Sequence, residues 1–529
     1  MAIRIRISIA SIIWFKWLEQ CHEEDTAKTQ NIQHALNGGD FRVPNSHYKL
    51  DGWDPVRKHC YEFHSCLLHG CQTCYPKRRN SVRLPRTKQT ANELFALTQK
   101  KKTFLESLGY TYESMWYHEY VELQKNCTEF KDFVATCDIQ AERLKPRDAF
   151  FGGRTNACKL HYTIKEGEHI KYVDFTSLYP YVNKYARYPV GHPQIYTQDF
   201  KSLNEYFGLA KVKILPPQRL YHPVLPYRAG GKLKFPLCRT CCESENMSKR
   251  CHHNESDRSL TGTWCTPELL KALDKGYILV NIYEVYHWPE STQYDPNTGD
   301  GGIFGEYINT FLKLKQESSD WPGWCQNDSD RQRYLETYLK HEGIQLDLES
   351  IKKNPGLRSV AKLMLNSLWG KMGENLDKRS HSEFHHESDP SSFYKTLTDC
   401  TKEVTNFHIL NEKHIFLEWK HKEAFKPEDY KTNVFWACFT TCEARLKLYG
   451  LLDMLQERVL YFDTDSVVYV SRPHLGEPEP PLGDMLGELT NEISSPTDYI
   501  QTFVSAGPKN YAYQTLEGEK VCKVRGFNF

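Results

Sequence analysis

The 529-residue chain contains no apolar run near the roughly 20 residues that a membrane-spanning helix requires, which excludes an α-helical membrane anchor within it. It is also nearly without net charge, at +1. A surface for a polyanion must then be a local patch rather than a global field. Lys77-Arg78-Arg79, followed by Arg83 and Arg86, is one such patch, and Lys100-Lys101-Lys102 is another. A solvated basic loop is the competing reading of each. The regular cysteine spacing of a disulfide framework is missing as well. Its 18 cysteines are unevenly spread and often close to histidines, which points to a reducing compartment and to zinc. The apolar opening from Met1 to Phe15 has no small-residue cleavage site before Lys16 and Glu19, and reads as an element of a folded domain. A chain of this length holds several domains and a large core.

Against this plain background one segment carries chemistry. Tyr461-Phe462-Asp463-Thr464-Asp465-Ser466 sits between Val459-Leu460 and Val467-Val468-Tyr469-Val470, runs that are β-branched and aromatic. The spacing predicts a hairpin with acidic residues at its tip. Side chains two apart in extended backbone share a face, so Asp463 and Asp465 can converge on one hard cation. A second acidic strand end lies far upstream, at Tyr172-Val173-Asp174-Phe175. There Ser177-Leu178-Tyr179-Pro180 opens a helix, whose first backbone N–H groups are a natural phosphate site. A third segment is helical, with Asn354-Pro355 as cap and first turn. Arg358, Lys362 and Asn366 recur along it every four residues and therefore share one face.

In this order the three segments resemble motifs A, B and C of family B DNA polymerases, in the protein-primed branch of viruses, linear organellar plasmids and Polinton (Maverick) elements. Phe150-Phe151-Gly152-Gly153 resembles the Tyr-x-Gly-Gly turn that touches template, and Lys509-Asn510-Tyr511 the Lys-x-Tyr motif that grips the primer end. Trp369 stands where the family usually has tyrosine. The resemblance implies an α+β right-hand fold, with an antiparallel palm sheet and helical fingers. It implies a DNA-directed DNA polymerase that joins dNTPs to a primer on template DNA, in replication of a mobile or viral-type element. Asp174 and Asp465 would be the shared ligands of two Mg²⁺ ions, with Asp463 in the outer shell. Tyr179 would be the steric gate against a 2′-hydroxyl. Ser177, Leu178, Arg358, Lys362 and Asn366 would contact the nucleotide, and Gly152, Gly153, Lys509 and Tyr511 the DNA. A DNA substrate suggests the nucleus.

The resemblance also divides the chain: palm over 141–195, an insertion over 196–300 that would contact a terminal priming protein, fingers over 301–375, a second insertion over 376–432, and palm again over 433–529. In the fingers, Phe304, Tyr307, Ile308, Phe311, Leu312 and Leu314 predict a helix, separated from the motif B helix by a polar loop around Ser318–Asp330. The 433–456 stretch is expected to be a helix behind motif C. Within the first insertion, Cys238, Cys241, Cys251 and His253 have the spacing of a Cys3His zinc knuckle, with free thiols in a loop as the alternative. Residues 1–140 are different. Asp51, Glu62 and His64, in Asp-Gly…Tyr-Glu-Phe-His…His-Gly-Cys, resemble the α/β very-short-patch repair endonucleases of the PD-(D/E)xK class, with His64 in place of the usual lysine. Cys66, His69, Cys71 and Cys74 could instead hold a structural zinc. No Asp-x-Glu lies upstream of the palm in a setting suited to a proofreading exonuclease, and the sequence ends where relatives continue into a thumb, as a fragment would. A degenerate remnant that only binds DNA, or cuts it through residues 1–140, is the alternative to an active polymerase.

Overall fold

In the computed structural model the described residues are 9–23, 32–37, 39–76, 89–137, 143–246, 250–296, 298–375, 380–385, 390–411, 413–422, 425, 431–493, 495 and 497–527. The basic run Lys77-Arg78-Arg79 with Arg83 and Arg86 lies outside them. The chain forms two compact units, one of residues 2–143 with 197–200, the other of 144–196 with 201–529.

The amino-terminal unit is a four-stranded sheet in the order Gln33–His34, Gly52–Asp54, His59–His64, Thr111–Trp116. Its last pair is parallel and the others antiparallel. Parallel neighbours need a crossover, and the helix Ala91–Ser107 supplies it. That helix starts at a capping box, Thr90 and Glu93 each closing on the other's backbone N–H. Trp14, Phe15, Tyr61, Phe63, Tyr120 and Phe130 make its core.

The larger unit is built on an antiparallel sheet whose main path runs Lys520–Lys523, Asn510–Thr515, Ile500–Gly507, His169–Phe175, Ser466–Ser471, Val459–Asp463, Thr155–Ala157. Both faces of its centre are covered, which is why the central strands read as unbroken apolar runs rather than alternating ones. Val467 and Tyr469 enter one core with the helices Leu178–Tyr185 and Val434–Leu455, while Val468 and Val470 enter the opposite core with Ile170 and Phe503. A register shift between Val459 and Tyr461 breaks this alternation, so Leu460 and Tyr461 face the same side.

A second antiparallel sheet runs Gln194–Tyr196, Ile278–His287, Gly208–Leu215, Leu260–Cys265. Leu209 and Cys265 from it, with Trp288 just past the end of Ile278–His287, share a core with Ile308, Leu312, Leu365 and Phe439, so the 196–300 segment is packed with the helices of 301–375. Between the helices Gly305–Glu317 and Pro355–Met372 the expected polar loop spans 318–327, but it does not reach the second helix directly, because a further helix, Asp328–Glu342, follows it. Its only deeply buried side chains are Tyr334, Tyr338 and Glu342, spaced four apart. A stripe so thin, on a helix dominated by charge, leaves little apolar periodicity to read. Residues 380–385, 402–411 and 414–421 form a three-stranded antiparallel sheet. Among the described residues no helix is long and apolar enough to cross a membrane.

Candidate active site

The strand His169–Phe175 pairs with Ser466–Ser471 so that Asp174 lies opposite Ser466, and the Phe175 N–H donates to the Asp465 carbonyl at 2.7 Å. Two distant acidic segments are thus joined by the sheet ladder itself. The hairpin tip is Thr464-Asp465, with Thr464 in the left-handed region at φ 60°. Strand alternation does not carry through such a turn, and the two hairpin carboxylates have different company. Asp463 accepts from Lys509 Nζ at 3.1 Å on both oxygens, from the Thr155 hydroxyl at 2.7 Å and from the Thr464 hydroxyl at 3.1 Å. Asp465 is electrostatically coupled to Asp174. Burial, then Asp465 and Glu492, push Asp174 up to about 8 against the pull of Lys362. Burial, then Asp463, push Asp465 up to about 6. Charge held at such cost is what a bound cation would relieve, and a donor set of oxygens alone suits Mg²⁺. Asp174, Asp463 and Asp465 do not close into a three-ligand group; among the described residues only two Cys/His clusters do. Glu492, which no motif marks, is brought beside the carboxylates because Leu489–Asn491 pairs with the same strand.

Facing them is the helix Pro355–Met372, with Asn354 capping through its side chain and Pro355 at its start. Arg358, Lys362 and Asn366 are exposed on it. A third cation missed in the sequence is Lys315, from the helix Gly305–Glu317. Its Nζ donates to Ser177 Oγ at 3.2 Å. Burial, then Arg358 and Lys362, depress it to about 8, so three cations crowd one place. Ser177 caps the helix Leu178–Tyr185 from a left-handed conformation, φ 51°, and the N–H groups of that first turn have no partner within the helix. Tyr179 stacks on Trp369, ring centroids 4.6 Å apart and nearly parallel at 13°. The tryptophan in the tyrosine position therefore buttresses Tyr179 directly.

The Gly152–Gly153 turn docks on the hairpin tip. A Cβ on Gly153 would fall 2.8 Å from Thr464 Cγ2, and the Thr464 N–H donates to the Arg154 carbonyl at 2.8 Å. The carbonyls of Phe151 and Gly152 accept from Arg445 at 2.9 and 3.1 Å. Arg445 is itself clamped by both oxygens of Glu268 at 2.8 Å, each side chain only 2% exposed. Neither residue belongs to a motif, and Arg445 shares its helix with the charged residues Glu443, Lys447 and Asp453, so nothing local in the sequence singles it out. Lys509 also donates its backbone N–H to the Tyr461 hydroxyl at 2.8 Å, and the hydroxyls of Tyr511 and Tyr172 are 3.0 Å apart. This ties the Lys-x-Tyr segment to the carboxylate strands.

In the amino-terminal unit, Asp51 accepts the Phe63 N–H at 2.9 Å, beside Glu62. Glu62 is buried and pairs with Lys101 Nζ at 2.6 Å. Burial, then Asp51, push Glu62 up to about 8. Two expectations are corrected here. Lys101 does not belong to an outward basic patch, because it turns inward to Glu62 and the Lys49 carbonyl. The cation beside Glu62 is thus Lys101 and not His64, whose Nε2 is 2.9 Å from the Tyr112 hydroxyl and whose ring burial pushes down to about 3. The zinc alternative also changes one member. Cys66, Cys71 and Cys74 converge with His118, not His69, which instead meets the Ser65 carbonyl at 3.2 Å. His118 is more than 40 residues away in sequence and arrives through the parallel strand pair, beyond the reach of spacing arguments. The second cluster, in the larger unit, joins Cys238, Cys241, Cys251 and His253.

Residues 100–324 match the family model described as DNA polymerase type B, organellar and viral. A probable DNA polymerase of Neurospora intermedia is 22% identical over 400 residues, which are 72% of this chain and 32% of that relative. The chain thus spans about a third of the relative's length. Among solved structures, Phi29 DNA polymerase in an orthorhombic crystal form is similar at 15% identity with a TM-score of 0.44, over 72% of this chain and 55% of that one. The same polymerase complexed with primer-template DNA and incoming nucleotide substrates gives 15% and 0.41, over 78% and 63%. The fold is mixed α+β, and within this chain residues 100–324 are similar to the organellar and viral type B DNA polymerases.

Proposed function

We propose that the larger unit is a template-directed DNA polymerase that adds dNTPs to a primer 3′-hydroxyl. The observation that carries this reading is the meeting of Asp174 and Asp465 across hydrogen-bonded strands, opposite the cations Lys315, Arg358 and Lys362. Mg²⁺ held by Asp174 and Asp465 would lower the charge on the reacting phosphate and its attacking oxygen. The three cations neutralise the triphosphate, which is the main demand of phosphoryl transfer, and an anion there relieves their mutual repulsion. Asn366 and the helix start at Ser177-Leu178 orient the nucleotide, while Lys509 and Tyr511 hold the primer end. Asp463, engaged by Lys509, positions that lysine. The Gly152–Gly153 turn meets template, and residues 196–300 offer a surface to a terminal priming protein in replication of a mobile or viral-type element.

The experiment that tests the reading concerns sugar choice. Tyr179→Ala removes the ring stacked on Trp369, and incorporation of rNTP relative to dNTP is expected to rise about a hundredfold, a loss of roughly 3 kcal/mol of discrimination. An unchanged ratio removes Tyr179 from the nucleotide site.

A second activity is favoured by one observation, the buried Glu62–Lys101 pair beside Asp51. We read it as a metal-dependent phosphodiesterase site in which Asp51 and Glu62 bind the cation and Lys101 faces the scissile phosphate. Glu62→Gln should abolish metal-dependent DNA cleavage and leave primer extension intact; cleavage that survives it excludes this site.

A further inference from the structure

We propose that Cys238, Cys241, Cys251 and His253 bind a structural Zn²⁺ that fixes the Gly152–Gly153 turn against the carboxylate hairpin. Binding rests on the cluster alone; only the consequence for catalysis rests on the polymerase reading. All four ligand atoms lie within 4.8 Å of one another. The three sulfurs are 3.4, 3.3 and 3.5 Å from one atom, His253 Nδ1. A single ring nitrogen satisfies one thiol at most, so three sulfurs on it need another cause. Zn–S and Zn–N bonds of about 2.3 and 2.0 Å in a tetrahedron give an S···N edge of about 3.5 Å, which is the spacing found. Donors to the sulfurs are in place, as the Cys241 N–H reaches Cys238 Sγ at 3.4 Å and the Asn246 amide reaches Cys241 Sγ at 3.7 Å. Such contacts stabilise thiolates and orient metal ligands. Between Cys242 and Cys251 the sequence Glu-Ser-Glu-Asn-Met-Ser-Lys-Arg has one apolar residue.

The cluster leads to the active site through a short hairpin, Tyr227–Ala229 with Lys232–Lys234. On one side the cluster's helix grips it, since the Tyr227 hydroxyl donates to Glu243 at 2.7 Å and Lys234 Nζ to the Cys242 carbonyl at 3.1 Å. On the other side Arg228 donates to the carbonyls of Asp148 and Phe150. Phe235, three residues before Cys238, lies 4.3 Å from the Arg154 guanidinium. Arg154 in turn receives the Thr464 N–H between the two hairpin aspartates. Loss of the ion frees the hairpin and, through it, the turn.

The test uses the full chain purified without chelator. Metal analysis of the Cys251→Ser variant is expected to show one Zn²⁺ equivalent fewer than wild type. The Cys74→Ser variant reports the other cluster separately and should keep the Cys251-dependent equivalent. His253→Cys, which preserves four ligands, should keep its zinc and guards against simple misfolding. Hydrogen exchange of peptides spanning 148–158 and 459–468 should quicken about tenfold in Cys251→Ser and not in His253→Cys. Unchanged zinc content in Cys251→Ser overturns the site. Zinc loss without faster exchange overturns the buttressing role. Both readouts are independent of primer extension, so failure of the polymerase reading would be seen apart from them.

Discussion

Asp174→Ala and Asp465→Ala should each slow primer extension by roughly a thousandfold or more, while primer–template affinity changes by less than about threefold. The expectation follows from where charge is held. These two carboxylates are raised to about 8 and about 6 by burial and by their acidic neighbours. They are therefore poorly suited to a structural role without a cation, and well suited to one with it. On the proposed reading, removing either takes away a metal ligand and leaves Lys315, Arg358 and Lys362 in place for the triphosphate, so the loss should fall on kcat rather than on KM. Asp463→Ala should behave differently. Its partners are Lys509, Thr155 and Thr464, so its loss should disturb the primer end and weaken primer use. Rapid-quench extension of a labelled primer with Mg²⁺ separates the two cases. Near wild-type rates in Asp174→Ala or Asp465→Ala would remove them from the reaction.

Breaking the Glu268–Arg445 pair should have the largest effect on stability. Glu268→Ala leaves a guanidinium uncompensated in a site where both side chains are 2% exposed, a change that costs roughly 3–5 kcal/mol. Replacing both partners, as Glu268→Leu with Arg445→Met, removes the charges together and should restore most of the stability. It cannot restore the donors to the Phe151 and Gly152 carbonyls. The double variant should therefore unfold near the wild-type urea midpoint yet extend primers at least tenfold more slowly, an effect of about 1.4 kcal/mol. A double variant with full activity would show that the arginine serves packing and not the turn.

The contrast between these two predictions reflects what the sequence could disclose. The hairpin at 459–470, the strand ending at Asp174 and the helix carrying Arg358, Lys362 and Asn366 are local patterns, each specified within about 20 residues by periodicity and capping. They could be read without coordinates, as could the helix Val434–Leu455. Arg445, Lys315, Glu492, Lys101 and His118 could not. Each acts on residues distant in sequence, and each looks locally like an ordinary charged or polar side chain. Lys101 shows the point most clearly. Within Lys100-Lys101-Lys102 it reads as one more solvated charge, and only the crossover helix, laid against the sheet, turns it toward Glu62. Cys238, Cys241, Cys251 and His253 lie between these extremes, because all four fall within 16 residues and their spacing alone suggested the cluster.

The central claim is templated DNA synthesis, and single-nucleotide incorporation by the wild-type chain tests it most directly. Primer–template duplexes differing only in the first templating base are offered one dNTP at a time, with Mg²⁺ and then without it. The account predicts extension by one nucleotide, complementary to each template base, dependent on the metal, and lost in Asp465→Ala. Incorporation that ignores the template base, or no incorporation by a folded protein that binds the duplex, would contradict it.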